Sequence, residues 1–163
     1  MNALDEDVVR LVADALDEVD GGFEALVVAN EGENFSVGAN LTAVLSAAQA
    51  GQWDALDTAI RRFQAACMAM KYASRPVVAA PFGMALGSGC EVVLHAGRVQ
   101  ASAETYMGLV ETGVGLMPSG GGCKEMLLRL GNAKRAFDLI GSGKVSASAA
   151  HARDWASSGP ATG

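Results

Sequence analysis

Short, almost uninterrupted apolar runs alternate along this chain with longer stretches where apolar residues recur every third or fourth position. The first pattern suits a strand covered by its sheet, the second a helix with one face on a core. Near the N-terminus Leu4, Val8, Leu11, Val12, Ala15, Leu16 and Val19 keep helical spacing. They predict a helix capped by Asn2 and stopped at Asp20-Gly21-Gly22. Phe23 to Asn30 (FEALVVAN) predicts a strand buried on both faces, and Glu31 to Asn40 (EGENFSVGAN) a polar loop. A long helix is expected from Trp53 to Ala73, with Leu56, Ile60, Phe63, Cys67 and Met70 on one side. Arg75-Pro76 ends it and opens a second buried strand, PVVAA. A glycine turn, a short helix near Glu91 to His95 and a third strand from Arg98 to Ser102 follow. Gly108 to Gly122 is irregular, and helices at 121–130 and 133–140 complete the pattern. Strands alternating with helices imply an α/β fold. The core is expected over residues 1–155, with 156–163 as a frayed tail.

Composition narrows the class. Half of the 163 residues are hydrophobic and 18% are charged, which excludes a disordered or fibrous chain. The longest apolar stretches, ALVVA and PVVAAPFGMAL, are too short or too broken to span a bilayer. Asp5, Glu6 and Asp7 stand where a signal peptide carries positive charge, so a cytoplasmic protein is expected. Cys67, Cys90 and Cys123 form no CxxC pair, and His95 and His151 are the only histidines. Free thiols, no disulfide framework and no metal site are expected. Ten acids and one base fall in residues 1–33; the rest holds eight acids and eleven bases. No dense basic stripe suits nucleic acid, but a mildly basic body can hold the phosphates of a small anionic ligand.

Several motifs fail on inspection. Gly87-Ser-Gly89-Cys-Glu-Val92 supplies two glycines of GxGxxG, with valine at the third. Gly141-Ser-Gly-Lys144 lacks the Ser/Thr and leading glycine of a P-loop, and Ser88 is not in a GxSxG elbow.

Two acids stand apart from the rest. Glu91 lies between GSGC and VVL, and Glu111 lies in GLVETGVGLMP, both among apolar and glycine neighbours. A carboxyl in such surroundings has raised proton affinity, which suits general acid or base work near neutral pH. The same residues also allow structural roles, Glu91 favoured by a helix dipole and Glu111 bonded to loop amides. SVGAN at 36–40 and LGSG at 86–89 each follow a buried strand. Small residues there let two backbone N–H groups approach one oxygen, the requirement of an oxyanion hole.

Together these segments resemble one family. SVGANL is similar to the SAGADL-type loop of the crotonase (enoyl-CoA hydratase/isomerase) superfamily. GMALGSGCEVVLHAGRV resembles its GxALGGGCELxxxCD segment, and YMGLVETGVGLMPSGGGCKEML its FGxPExxLGxxPGxGGTQRL segment. The opening MNALDEDVVRLVADAL resembles the family's first helix, so the likeness runs from Asn2 to Trp155. More narrowly, the chain resembles the hydratase portion of bifunctional 3-hydroxyacyl-CoA dehydrogenase/enoyl-CoA hydratase proteins. The resemblance implies a crotonase-like spiral of ββα turns, with the N-terminal hairpin and C-terminal helical region missing. It implies hydration of a trans-2-enoyl-CoA in fatty-acid β-oxidation, with no cofactor beyond the coenzyme A of the substrate. Isomerisation, another acyl-CoA reaction, or a silent acyl-CoA-binding remnant are the alternatives. Carried over by position, Glu91 and Glu111 become the catalytic pair and the amides of Ala39 and Ser88 the oxyanion hole. Ser36, Val37, Gly38, Asn40 and Gly87 then line the substrate. A homo-trimer or hexamer, or fusion to a dehydrogenase, is implied as well. Asn40 stands for the family's acid and Ser88 for its middle glycine, while Cys123-Lys124 replaces Thr-Gln.

Overall fold

The computed structural model describes residues 2–157. The chain opens with strand β1 (Ala3–Leu4), not with a helix capped by Asn2. Asn2 is engaged otherwise, its carbonyl oxygen accepting from Val37 N and Ser36 Oγ. Helix α1 (Glu6–Asp20) is capped by Asp5, whose carboxylate accepts from Val8 N at 3.0 Å. Its core seam is Val9, Val12, Leu16 and Val19, whereas Leu11 is exposed.

Strand β2 (Leu26–Val28) starts a parallel sheet with β4 (Val77–Ala79) and β6 (Arg98–Val99), in the order β2-β4-β6. Leu26 and Val28 pack on the core, but Val27 is exposed, which corrects the expectation of burial on both faces. Strand β3 (Gly38–Ala39) pairs with β1, and β5 (Gly83–Leu86) pairs with β7 (Thr105–Gly108). A single bridge between Ser36 and Ala85 joins these two ladders. All pairings are parallel, so each strand returns to the sheet through a crossover. The chain thereby winds as a spiral, each turn laying one strand on each of two stacks before crossing over.

Helix α1 connects β1 to β2, and helices α2 (Leu41–Gln49) and α3 (Trp53–Lys71) connect β3 to β4. Helix α4 (Ser88–His95) connects β5 to β6, and β7 leads into a 3-10 turn (Glu111–Val114). Helices α5 (Gly122–Leu130), α6 (Ala133–Gly141) and α7 (Ala149–Ser157) complete the described chain. The long helix, PVVAA and the pair α5–α6 follow the periodicity. Elements β1, β3, β5, β7, α2 and α7 had no counterpart in it. GMAL at 83–86 is a strand rather than part of the turn, because Gly83 and Gly87, both at φ 55°, take the bends at its ends. The expected fraying of 158–163 lies outside the described residues.

The main core gathers Leu16, Phe35, Phe63, Cys67, Met70, Val77, Ala79 and Val93 between α1, α3, α4 and the sheet. A smaller cluster of Leu130, Ala136 and Leu139 joins α5 and α6, with Trp155 of α7 against it. The three cysteines are free thiols. Among the described residues no helix is long and apolar enough to cross a membrane.

Helix α4 sits almost against the 36–39 segment. Gly89→Ala would place a methyl 2.7 Å from Ser36 Cβ and 2.9 Å from its carbonyl oxygen. Overpacking of this kind costs about 1–3 kcal/mol, so the urea midpoint of that variant should fall; an unchanged midpoint would refute the close packing.

Candidate active site

Two turns meet at one place. Ser36 N donates to Met84 O, and Leu86 N donates back to Ser36 O at 2.9 Å. This exchange carries Gly38 onto the turn at Gly87: a Cβ on Gly38 would lie 3.2 Å from Leu86 O and 3.6 Å from Ser88 N. Ser88 opens α4, where an amide has no acceptor inside its own helix. Ala39, at the end of β3, is exposed beside it, and Asn40 caps α2 through Oδ1 on Ala43 N. Asparagine and aspartate cap equally well, so the Asn40 departure leaves the local turn intact. Ser36 is buried, its hydroxyl donating to Asn2 O and accepting from Gly38 N. Val37 is half-buried and tied to Asn2 through its backbone.

Glu111 reaches the same point from the 3-10 turn. Its Oε1 lies 3.5 Å from where a Cβ of Gly87 would be, and Gly38 Cα is 3.8 Å from that position. Neither carboxyl oxygen of Glu111 has a hydrogen-bond partner. Burial raises its proton affinity, tempered by the nearby amides of Glu111 and Val110.

Glu91 lies one turn into α4, its N–H bonded to Gly87 O. The side chain is fully buried. Oε1 accepts from Gly120 N and Gly122 N, each at 2.8 Å, while Oε2 has no partner. Burial pushes its pKa up to about 7; the Gly122 and Gly120 amides pull against it, and the Glu111 charge adds to it. The loop 119–122 that supplies these amides is anchored by Gln64 Nε2 on Ser119 O. A Cβ on Gly120 or Gly122 would fall 2.9 Å from a Glu91 oxygen, so only glycine lets the amides come so near. Cys90, between the two acids, is no nucleophile: burial pushes its thiol up to about 12, with the Glu111 and Glu91 charges reinforcing.

The amide donors Gly120 and Gly122 and the buried His95 at the end of α4 join the residues singled out from the sequence. A glycine run opening a helix is a known grip for an anion, and Ser119-Gly120-Gly121-Gly122 before α5 carries that signal. The nine residues singled out from sequence otherwise fall on three adjoining segments, 36–40, 87–91 and the turn at Glu111.

Comparison with known proteins places the chain in a family. Residues 1–156 match the family model described as enoyl-CoA hydratase/isomerase. A Bacillus subtilis protein named "Probable 3-hydroxyacyl-CoA dehydrogenase" is 47% identical over 94% of this chain, which spans 20% of that protein. A second Bacillus subtilis protein, "Probable enoyl-CoA hydratase", is 31% identical over 88% of this chain and 55% of its own length. The crystal structure of an enoyl-CoA hydratase from Polaromonas sp. JS666 superposes with a TM-score of 0.87 at 24% identity, covering 94% of this chain and 59% of that one. The spiral of ββα turns is therefore the fold of the crotonases. The chain spans between a fifth and about three-fifths of the length of these relatives.

An unfolded glutamate ionises near 4.5, whereas folded Glu91 keeps its proton to about 7. The stabilisation from this group is complete below the first value and is lost as pH rises through the second. The loss amounts to roughly 3 kcal/mol. Urea unfolding at about pH 5 and about pH 8 should show a steeper fall for the wild type than for Glu91→Gln; parallel curves would mean that Glu91 titrates normally.

Proposed function

The chain belongs to the enoyl-CoA hydratase/isomerase family, and from that premise we propose that it adds water to a trans-2-enoyl-CoA, giving a 3-hydroxyacyl-CoA. The observation that carries this reading is a pair of buried carboxyls around one turn, with Glu91 Oε2 and both Glu111 oxygens left without partners. Unpaired buried acceptors are costly in a fold, and a reacting water and a substrate carbon are what they would serve.

In the proposed reaction the Ala39 and Ser88 amides hold the thioester oxygen. One carboxylate takes a proton from water as its oxygen bonds to C3. The C2–C3 π pair moves toward the thioester, whose oxygen gains enolate charge between the amides. The second carboxyl then gives its proton to C2, on the same face, and the pair is left with one proton as before. Glu91 serves as base and Glu111 as acid, though exchanging them leaves the balance the same. Losing one oxyanion donor costs about 3–4 kcal/mol, so the amides weigh as much as the acids. Isomerisation would use the same pocket but only relocate the double bond. The product is chemically what a 3-hydroxyacyl-CoA dehydrogenase oxidises, the activity named for the Bacillus subtilis relative. Fusion or association with such a dehydrogenase belongs to this reading, as do a place in β-oxidation, a cytoplasmic setting and a trimeric or hexameric assembly. The substrate brings its own coenzyme A, and no other cofactor is required.

The purified chain should bleach the conjugated absorbance of crotonyl-CoA and yield 3-hydroxybutyryl-CoA; bound but unaltered crotonyl-CoA would overturn the reading. Glu91→Gln and Glu111→Gln should each lower kcat by about 10²–10⁴-fold, and near-normal rates in either would remove that acid from the chemistry. Only the singly protonated pair is competent, so kcat/KM should be bell-shaped in pH, with limbs that belong to the pair. A profile flat across the neutral range would contradict two working carboxyls.

A further inference from the structure

Behind the site, α4 ends in His95, a residue that is 1% exposed. Its Nδ1 lies 2.7 Å from the carbonyl oxygen of Glu91. A carbonyl only accepts, so Nδ1 carries the proton and donates. Nε2 of the neutral ring then holds a lone pair, and it has no hydrogen-bond partner. It faces Gly121, where a Cβ would fall 3.2 Å away, and lies 3.6 Å from Glu125 Oε1. Burial lowers the ring's proton affinity, against the Glu91 carbonyl and the Glu125 charge that raise it.

Gly121 is the middle residue of the loop whose flanking amides grip the Glu91 carboxyl. The imidazole therefore spans from the backbone of Glu91 to the loop that holds the side chain of the same residue. Glu125 braces the arrangement from α5. Its N–H donates to Gly121 O at 3.0 Å, and its Oε1 accepts from Lys71 Nζ of α3 at 2.6 Å. Lys124 Nζ stands 2.8 Å from the same oxygen. Burial pushes the Glu125 carboxyl up, yet the hydrogen bonds from Lys124 and Lys71 and the Lys124 charge outweigh it and leave it below its ordinary value. A leucine would fill the volume of His95 without stranding a buried nitrogen, so packing alone does not account for the ring.

We propose that His95 is a positioning residue: its ring, wedged between the Glu91 carbonyl and Gly121, sets the glycine loop so that the Gly120 and Gly122 amides hold one Glu91 oxygen and leave the other facing the reacting water. The last clause rests on the hydratase reading; the placement of the loop does not.

The Glu91 carboxyl is faced by Glu111, by Cys90 of α4, Cys67 of α3 and Cys123 of α5. The ring is faced by Glu125, Lys124 and Lys71. All are retained in the variants. In His95→Leu the amide grip slackens, and because those amides favour the ionised acid, the proton affinity of Glu91 rises. A ¹³C-NMR titration of carboxyl-labelled chain should move the Glu91 midpoint upward by about one pH unit. His95→Asn, which keeps an N–H near the Nδ1 position, should recover most of that shift. With crotonyl-CoA, kcat should fall about tenfold in His95→Leu at unchanged KM and return in His95→Asn. An unshifted midpoint in His95→Leu, or His95→Asn titrating like it, overturns the proposal. Should His95→Leu not fold, the ¹⁵N spectrum of the wild-type imidazole decides: the Nδ1–H tautomer supports the wedge and the Nε2–H tautomer rejects it. If the wild type fails to hydrate crotonyl-CoA, the hydratase reading falls while the titration still judges the placement of the loop.

Discussion

Everything in this site follows from withdrawing the Glu91 carboxyl from bulk solvent while giving it only half of the hydrogen bonds it can take. A buried carboxylate with no donors would remain protonated far above neutrality, and one with a full set of donors would be a permanent anion. Two amides on one oxygen put Glu91 between those limits, at about 7. Only main chain can approach so closely here, because a Cβ on either donor would intrude on the carboxyl. The glycine run at 120–122 is thus a requirement of the electrostatics before it is a turn.

The spiral explains why the other parts arrive at the same point. Each turn advances one strand spacing, about 4.8 Å, so the segments leaving β3, β5 and β7 lie side by side. Those segments are the ones that carry Ala39, Ser88 and Glu111. Parallel pairing sends all of them toward one edge, where successive crossovers begin. Small residues are needed where the turns touch, and Gly38 and Gly87 stand at that contact.

The sequence was most legible where a single periodicity governed a whole element. Strand β4 follows its apolar spacing because it lies in the core along its length. Helix α3 does so because its second half buries Phe63, Ala66, Cys67 and Met70, although Ile60 of the expected face is exposed. Short strands were the weak point: β1 and β3 have two residues each, too few to show an alternation. Helix α2 was hidden for a different reason, since none of its residues is buried and no apolar stripe had to form. The first helix was misread at its start because the spacing continues through Leu4, although Leu4 belongs to a strand; the cap is Asp5, whose side chain bonds Val8 N. In the site, the two acids stood out because they lack the basic neighbours of a surface helix. Their partners did not, because the Glu91 contacts are backbone amides about thirty positions away, and amides leave no mark in the residue code.

The orphaned oxygens bear on both stability and chemistry. Among the described residues, three carboxyl oxygens and one imidazole nitrogen lie buried without partners, and they belong to Glu91, Glu111 and His95. Native folds keep such groups rare because each sacrifices hydration and receives nothing in return. Random imperfection would scatter them through the interior, yet the buried side chains of Ser36, Thr105, Glu125 and Ser146 all have partners. The concentration of the unpaired atoms along α4 and the segments packed on it means that the surrounding core supplies the free energy to hold a destabilised arrangement in place. A substitution that satisfied those oxygens internally would stabilise the fold and remove the unpaired acceptors on which the proposed hydration depends.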